Sequence, residues 1–234
     1  GKNLLKPANG DPIVSPTQDM VLGLYVLTRE RVGALGEGKV FADEDEAMLA
    51  HESGVIDLNA KITVRMKGER LTTTYGRTVF NRIFPEDFGF VNEHMGKKEL
   101  SKLVARLIDR YSIENSQGYL DRIKDLGFFY ATRSAVTWGM GDTVTPVEKQ
   151  GFFREADVQI AAIESQWSEG FLTAEERREK IIEVWTEVRN KVAKLMPKVL
   201  SPENPIYAII DSGSRGSWSQ PTQMMGMKGL VQDT

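Results

Sequence analysis

Cysteine is absent from the 234 residues of this chain. That excludes disulfides, thiolate zinc sites and a cysteine nucleophile. Histidine is almost absent: His51 and His94 are the only imidazoles, too few for a histidine-rich metal centre, and no Ser-His-Asp arrangement stands out by spacing. No apolar run approaches the roughly 20 residues that a bilayer span needs, and the N-terminus lacks a basic-then-apolar signal segment. No membrane partner is therefore expected, and the expected compartment is the cytoplasm. There is no basic excess either. A formal net charge of −3 is not that of a free-standing nucleic-acid binder, whose affinity rests on a basic face that neutralises phosphates. Any contact with nucleic acid must be local.

What is present is ordinary for a globular protein: 41% hydrophobic and 27% charged residues, enough for one large domain or two small ones. After an extended Pro/Gly/Asn stretch, Met20 to Leu27 form a short apolar segment that Asp19 can cap as a helix. Gly33-Ala34-Leu35-Gly36-Glu37-Gly38-Lys39 is glycine-rich but lacks the Gly-Lys-Ser/Thr ending and the preceding strand of a phosphate loop, so it reads as a plain loop. Asp43-Glu44-Asp45-Glu46 could attract a hard cation. The alternative is a capping box, Asp43 with Glu46, opening a helix to about His51. Alternation of Ile56, Leu58, Ala60, Ile62, Val64 and Met66 predicts a half-buried strand, Lys67-Gly68-Glu69 a turn, and Leu71 to Phe84 the partners. Two helices follow, one carrying Leu100, Leu103, Val104, Leu107 and Ile108, the other Leu120, Ile123, Leu126 and Phe128 with Ser116 as its cap.

The strongest periodicity lies beyond residue 148. Ala156, Ile160, Ile163 and Trp167 form one stripe and Ile181, Trp185, Val188, Val192 and Leu195 a second. Between them, Ser168 to Leu172 form a turn, and Thr173 with Glu176 makes a capping box. This predicts an antiparallel helical hairpin over 152–200. Glu169, Glu176, Glu179 and Glu183 cluster near its tip, while Arg189, Lys191, Lys194 and Lys198 lie at the far end. An acidic tip can steer a basic partner, or it can simply be a solvated face with acids placed to suit the helix dipole. The fold class is thus α+β and predominantly helical, with a mixed portion over 1–148 and a hairpin with a Gly/Met-rich loop over 149–234.

One segment fits neither helical nor strand periodicity: Asp211-Ser212-Gly213-Ser214-Arg215-Gly216-Ser217, then Gln220 and Gln223-Met224-Met225-Gly226-Met227-Lys228-Gly229-Leu230. It resembles the Asp-Ser-Gly-Ala-Arg-Gly-Ser … Gln-Leu-Ala-Gly-Met-Arg-Gly-Leu signature of the β′ family, the largest catalytic subunits of bacterial multi-subunit RNA polymerase. At the other end, Asn3-Leu4-Leu5, Pro7-Ala8-Asn9-Gly10, Pro12 and Pro16 to Tyr25 resemble the family's Asn-Asn-Ile-Leu-Ser-Pro-Ala-Asn-Gly … Pro-Ser-Gln-Asp-Met-Val-Leu-Gly-Leu-Tyr. Thr73-Thr74-Tyr75-Gly76-Arg77, Gly96-Lys97-Lys98, Lys124 to Phe128 and Ala131 to Ser134 fall between in the family's order.

The resemblance implies a piece of a DNA-templated nucleotidyltransferase. It implies a pore region over 1–148 and a funnel region over 149–234, lining the secondary channel through which nucleoside triphosphates enter and pyrophosphate leaves. The hairpin then corresponds to the rim coiled coil where transcript-cleavage and other channel factors dock, and 211–230 to the loop that supports the bridge helix and trigger loop. Partners implied are the β, α and ω subunits, the rest of β′, nucleoside triphosphates, and template DNA and RNA, in a nucleoid-associated cytoplasmic setting. The family's magnesium-binding motif, Asn-Ala-Asp-Phe-Asp-Gly-Asp, does not occur here. Magnesium is therefore expected in the complete polymerase and no metal or cofactor in this piece, which is expected to be inactive alone. The Gly1 start and the stop after Val231-Gln232-Asp233-Thr234 read as an excised piece.

On that resemblance Gln18, Arg77, Lys97, Lys98, Arg133, Arg215, Gln223 and Lys228 are candidates to line the channel or support the active centre. Cations there raise the local concentration of an anionic substrate. Met224, Met225 and Met227 offer adaptable apolar contacts. The chain departs from the family pattern at Pro221, where isoleucine is usual, at Lys228, where arginine is usual, and at Arg178-Glu179-Lys180, where many relatives begin Tyr-Asn-Lys; no particular factor is carried over to the tip. Two rival readings are a stand-alone helical-hairpin adaptor, which leaves both end motifs unexplained, and a phosphate-dependent enzyme built on Gly33 to Lys39.

Overall fold

The computed structural model describes residues 13–231. The motif residues Asn3 to Pro12 and the terminal Gln232 to Thr234 lie outside the described residues. The chain is α+β and predominantly helical. It divides into two compact units, one comprising residues up to 136 together with 211–215, the other 137–210 with 216 onward.

In the first unit, α1 (Asp19–Thr28) packs on α4 (Lys97–Ser134). Gln18, not Asp19, is the residue that precedes the helix. Its φ of 53° is left-handed and its side chain makes no capping bond, so Asp19 serves instead as a first-turn acid. The far end of α1 is closed by Asn59, whose Nδ2 donates to the carbonyls of Val26 (2.8 Å) and Arg29 (3.0 Å). A buried side chain thus satisfies last-turn groups that the helix cannot. That role explains why the predicted strand begins late. Residues 56–60 are turn and anchor, with Asp57 accepting from Arg31 at 2.9 Å, and their alternation comes from burial of Ile56 and Ala60 in a core rather than from a ladder.

The sheet is small: β1 (Val40–Phe41) runs parallel to β2 (Lys61–Met66), which pairs antiparallel with β3 (Glu69–Thr74). β1 was not anticipated, because two residues give no period. Lys67 and Gly68, both at positive φ (50° and 90°), make the hairpin turn as a primed type. The predicted continuation of strand structure to Phe84 stops at Thr74. There Thr74 Oγ accepts from the Arg77 amide (3.2 Å) and starts α3 (Tyr75–Asn81). Gly76 permits this, since a Cβ there would sit 1.9 Å from the Leu27 carbonyl oxygen. α2 (Glu44–Glu52) has Asp43 as its cap, accepting from the Glu46 amide at 2.8 Å, while the Glu46 carboxylate returns to the Ala42 amide.

The two expected helices beyond Gly96 are limbs of α4, 97–111 and 113–134, broken at Ser112 (φ 67°, ψ 167°). Ser116 is not the cap; its hydroxyl donates to the carbonyls of Leu107 (3.0 Å) and Ser112 (2.6 Å). Nine residues of straight helix would span about 13.5 Å, so the Leu107–Ser116 bond requires the chain to turn sharply. Phe128, expected in the core, is exposed, and Gly127 takes the inward place against α1, where a Cβ would meet the Met20 carbonyl at 2.7 Å. Phe80, Leu24, Leu27, Leu100, Leu107 and Ile123 fill the core between these helices.

The second unit is built on the hairpin of α5 (Lys149–Ser168) and α6 (Ala174–Val199). Thr173 and Glu176 form the reciprocal capping box that the sequence predicts. Ala156, Val188 and Val192 are buried along the seam, but the stripe continues to Met196 rather than Leu195, following the 3.6-residue period with steps of four. Trp167 is exposed and lies under Arg177, 4.4 Å from guanidinium to ring centre. A second cluster joins Met196, Leu200 and Met225 to Ile206, Tyr207 and Trp218. Between α6 and the tail lies α7 (Pro205–Asp211). Among the described residues no helix is long and apolar enough to cross a membrane.

Candidate functional site

The segment 211–215 leaves the hairpin unit and folds into the first one. Its seat is the start of α4. The Lys97 amide, one of the donors that a helix N-terminus leaves unpaired, donates to the Ser212 carbonyl at 2.9 Å. Ser212 and Ser214 are buried and bonded to each other, hydroxyl to hydroxyl at 3.1 Å and Ser214 amide to Ser212 Oγ at 3.2 Å. Gly213 (φ 72°) passes so close to Lys97 that a Cβ would lie 3.1 Å from the lysine Cβ, and a side chain would also be strained at that φ. On the other flank the Tyr25 hydroxyl donates to Asp211 Oδ2 at 2.7 Å.

A polar cluster joins α1, α3 and the approach to α4. Thr28 Oγ accepts from the Met95 amide (2.9 Å), and the Thr28 carbonyl accepts from Arg77 Nε (2.9 Å). Arg77 also reaches Asn92 Oδ1 at 3.3 Å. Burial lowers the Arg77 pKa, with Glu30 opposing. The His94 ring lies 4.1 Å from the Tyr25 ring, and its Nε2 is 3.1 Å from the Tyr25 carbonyl. Burial pushes the His94 pKa down; the carbonyl contact and Asp211 oppose this, and Arg77 and Arg29 reinforce it.

The sequence-based candidates separate accordingly. Lys97, Lys98 and Arg215 are exposed, with Lys97 under the seated loop. Arg77 belongs to the supporting cluster and is half-buried. Gln18 is exposed at the opposite end of α1, seven residues or about 10 Å along the axis from Tyr25. Arg133 is exposed on the second limb of α4, 5.6 Å over the ring of Phe129.

Gln223 and Lys228 belong to the other unit. Gln223 is exposed in a π-turn, Thr222–Gly226, closed by the Met227 amide on the Thr222 carbonyl at 2.7 Å. Lys228 is exposed just beyond it. Gly226 lets the turn press on α6, where a Cβ would meet Val192 at 2.5 Å. Of the three methionines, Met225 is core, Met227 packs on the hairpin and Met224 is 56% exposed.

At the hairpin tip, Glu169 and Glu176 have local tasks. Glu169 accepts from Ser165 (2.8 Å), and Glu176 accepts from the amide and hydroxyl of Thr173 (both 2.8 Å), which lower its pKa. Glu179 and Glu183 are exposed along α6. Sequence reasoning singled out neither Tyr25 nor Asp211 as partners; they are 186 positions apart and no local signal links them. Among the described residues no three carboxylates or imidazoles converge where a metal ion could be held.

The residues thus form a loop seated on a helix start, beside a half-buried polar cluster. The chain belongs to the RNA polymerase Rpb1 family: it matches the family model of RNA polymerase Rpb1, domain 3, over residues 3–143 and that of RNA polymerase Rpb1, domain 4, over residues 157–234. It is 45% identical to the DNA-directed RNA polymerase subunit beta' of Desulforamulus reducens, covering 99% of this chain and 20% of that protein. The same subunit of Thermobifida fusca is 40% identical, with 99% and 19% covered. That of Sulfurihydrogenibium sp. is also 40% identical, with 98% and 15% covered. The chain thus spans a fifth or less of the length of these relatives.

Proposed function

We propose that this chain is the part of a bacterial β′ subunit that lines the secondary channel of DNA-dependent RNA polymerase. There it admits nucleoside triphosphates and supports the active centre during transcription. The observation that carries this reading is the seated loop: Asp211 to Ser214 is fixed on the start of α4, whose first residues Lys97 and Lys98 are exposed, and the loop continues into the exposed Arg215. Exposed cations on a wall attract a polyanionic substrate, and an arginine on a rigid mount can fork a phosphate where a mobile lysine cannot. Catalysis of nucleotidyl transfer, the magnesium that it needs, and pairing with β, α and ω belong to the complete assembly, and the chain alone is inactive. Residues 1–148 act as the pore portion and 149–234 as the funnel portion, and the hairpin tip at Glu169, Glu176, Glu179 and Glu183 is where channel factors dock.

The test is a transcription assay on a complete polymerase whose β′ carries Arg215→Ala, scored at low and at saturating nucleotide. A defect that is largest at low nucleotide is the expected result. Wild-type rates at both concentrations would remove Arg215 from the channel.

A further inference from the structure

We infer that Tyr25 is a positioning residue for Arg215, acting through Asp211. This rests on the channel reading above. The phenol is 5% exposed and its ring is held against His94, so its hydroxyl has a fixed location. From there it donates to Asp211 Oδ2 at 2.7 Å, a charge-assisted bond of the short, strong kind. Asp211 is the last residue of α7 and the first of the segment that enters this unit. The bond therefore fixes the point at which the loop begins. The Lys97 amide on the Ser212 carbonyl fixes the next residue, and the Ser212–Ser214 bonds fix the bend around Gly213. Arg215 is exposed and has no such contact among the described residues, so its place is inherited from these attachments. The Tyr25–Asp211 bond joins two side chains, and it can be removed with a single oxygen atom.

Tyr25→Phe deletes that oxygen and keeps the ring on His94. Two measurements follow, both comparing the variant with wild type. The first is amide hydrogen exchange of the full chain. Amides of 212–216 are expected to exchange about tenfold faster, the factor corresponding to loss of one bond of this kind, while β2 and β3 amides are unchanged. Unchanged exchange at 212–216 would overturn the inference, and acceleration everywhere would reduce Tyr25 to a core residue.

The second is elongation by the complete polymerase. Tyr25→Phe is expected to raise the apparent KM for nucleotide several-fold more than it lowers kcat, and to have no further effect when Arg215 is already alanine. Additive effects of the two substitutions would overturn the inference. If Arg215→Ala is itself silent while Tyr25→Phe loosens 212–216, the channel reading fails and the attachment stands, so the two failures are distinguishable.

Discussion

Two glycines on the helices of the first unit should respond oppositely to the same added methyl group. Gly23 faces α4 so closely that a Cβ would stand 1.9 Å from the Gly127 carbonyl oxygen and 2.6 Å from the Ala131 amide nitrogen. Both obstacles are backbone and cannot rotate away. Reaching an ordinary contact near 3.4 Å requires α1 and α4 to separate by about 1.5 Å. A gap of even 0.5–1 Å forfeits roughly a quarter to a half of each dispersion well, and the seam holds Val21, Leu24, Leu27, Leu100 and Leu107.

Gly23→Ala therefore sits at or above the top of the usual 1–3 kcal/mol cost of overpacking. About 1 kcal/mol returns through helix propensity, leaving a net loss of about 2–3 kcal/mol. Gly118, on the second limb of α4, has nothing within 4 Å of its Cβ position and is exposed. Gly118→Ala gains about 0.5–1 kcal/mol.

Urea unfolding followed by far-UV circular dichroism reads both. With a slope of about 2 kcal/mol/M, the midpoint of Gly23→Ala should fall by about 1–1.5 M and that of Gly118→Ala should rise by about 0.3–0.5 M. All four tryptophans, Trp138, Trp167, Trp185 and Trp218, lie in the second unit, so their fluorescence follows that unit separately. A Gly23→Ala midpoint at or above wild type would refute the close packing of α1 on α4.

Two further outcomes follow from the polar groups. His94 is held neutral by burial, with its folded pKa below the ordinary 6.5. Between those two values the unfolded chain binds a proton that the folded chain does not, so its contribution to stability is complete above about pH 6.5 and falls as pH drops below it, by at most about 1.4 kcal/mol per pH unit. His94→Gln, which keeps a donor for the Tyr25 carbonyl, should flatten the urea midpoint between pH 7.5 and 5.5, and identical slopes for the two proteins would contradict this. Thr173→Ala removes the cap of α6 and should cost about 1 kcal/mol, read as a lower tryptophan-monitored midpoint and faster amide exchange at 174–177; unchanged exchange there would count against the capping role.

Features legible in the sequence were those whose cause is local. The Thr173–Glu176 box, the Asp43 cap and the five-residue turn before α6 each depend on side chains within four positions, and the hairpin stripe depends on one helical period. The alternation over Ile56 to Met66 misled because two causes produce one pattern: only 61–66 forms a ladder, whereas Ile56 and Ala60 are inward-facing points on a turn anchored by Asn59. β1 is too short to leave a period, and its pairing partner is over 20 positions away. At the site, the motif residues Lys97 and Arg215 could be picked out by resemblance, but the spacing in Thr73 to Arg77 does not say that Arg77 turns toward the Thr28 carbonyl. Nor could it link Tyr25 to Asp211, since a contact across 186 positions is a property of the fold.

The most direct measurement of the channel reading is photocrosslinking of a nucleoside triphosphate with a reactive group on its γ-phosphate, in an elongating polymerase that contains this chain. The account predicts label on Lys97, Lys98 or Arg215, reduced by excess unlabelled nucleotide. Label confined to other regions of the polymerase, with none on this chain, would contradict it.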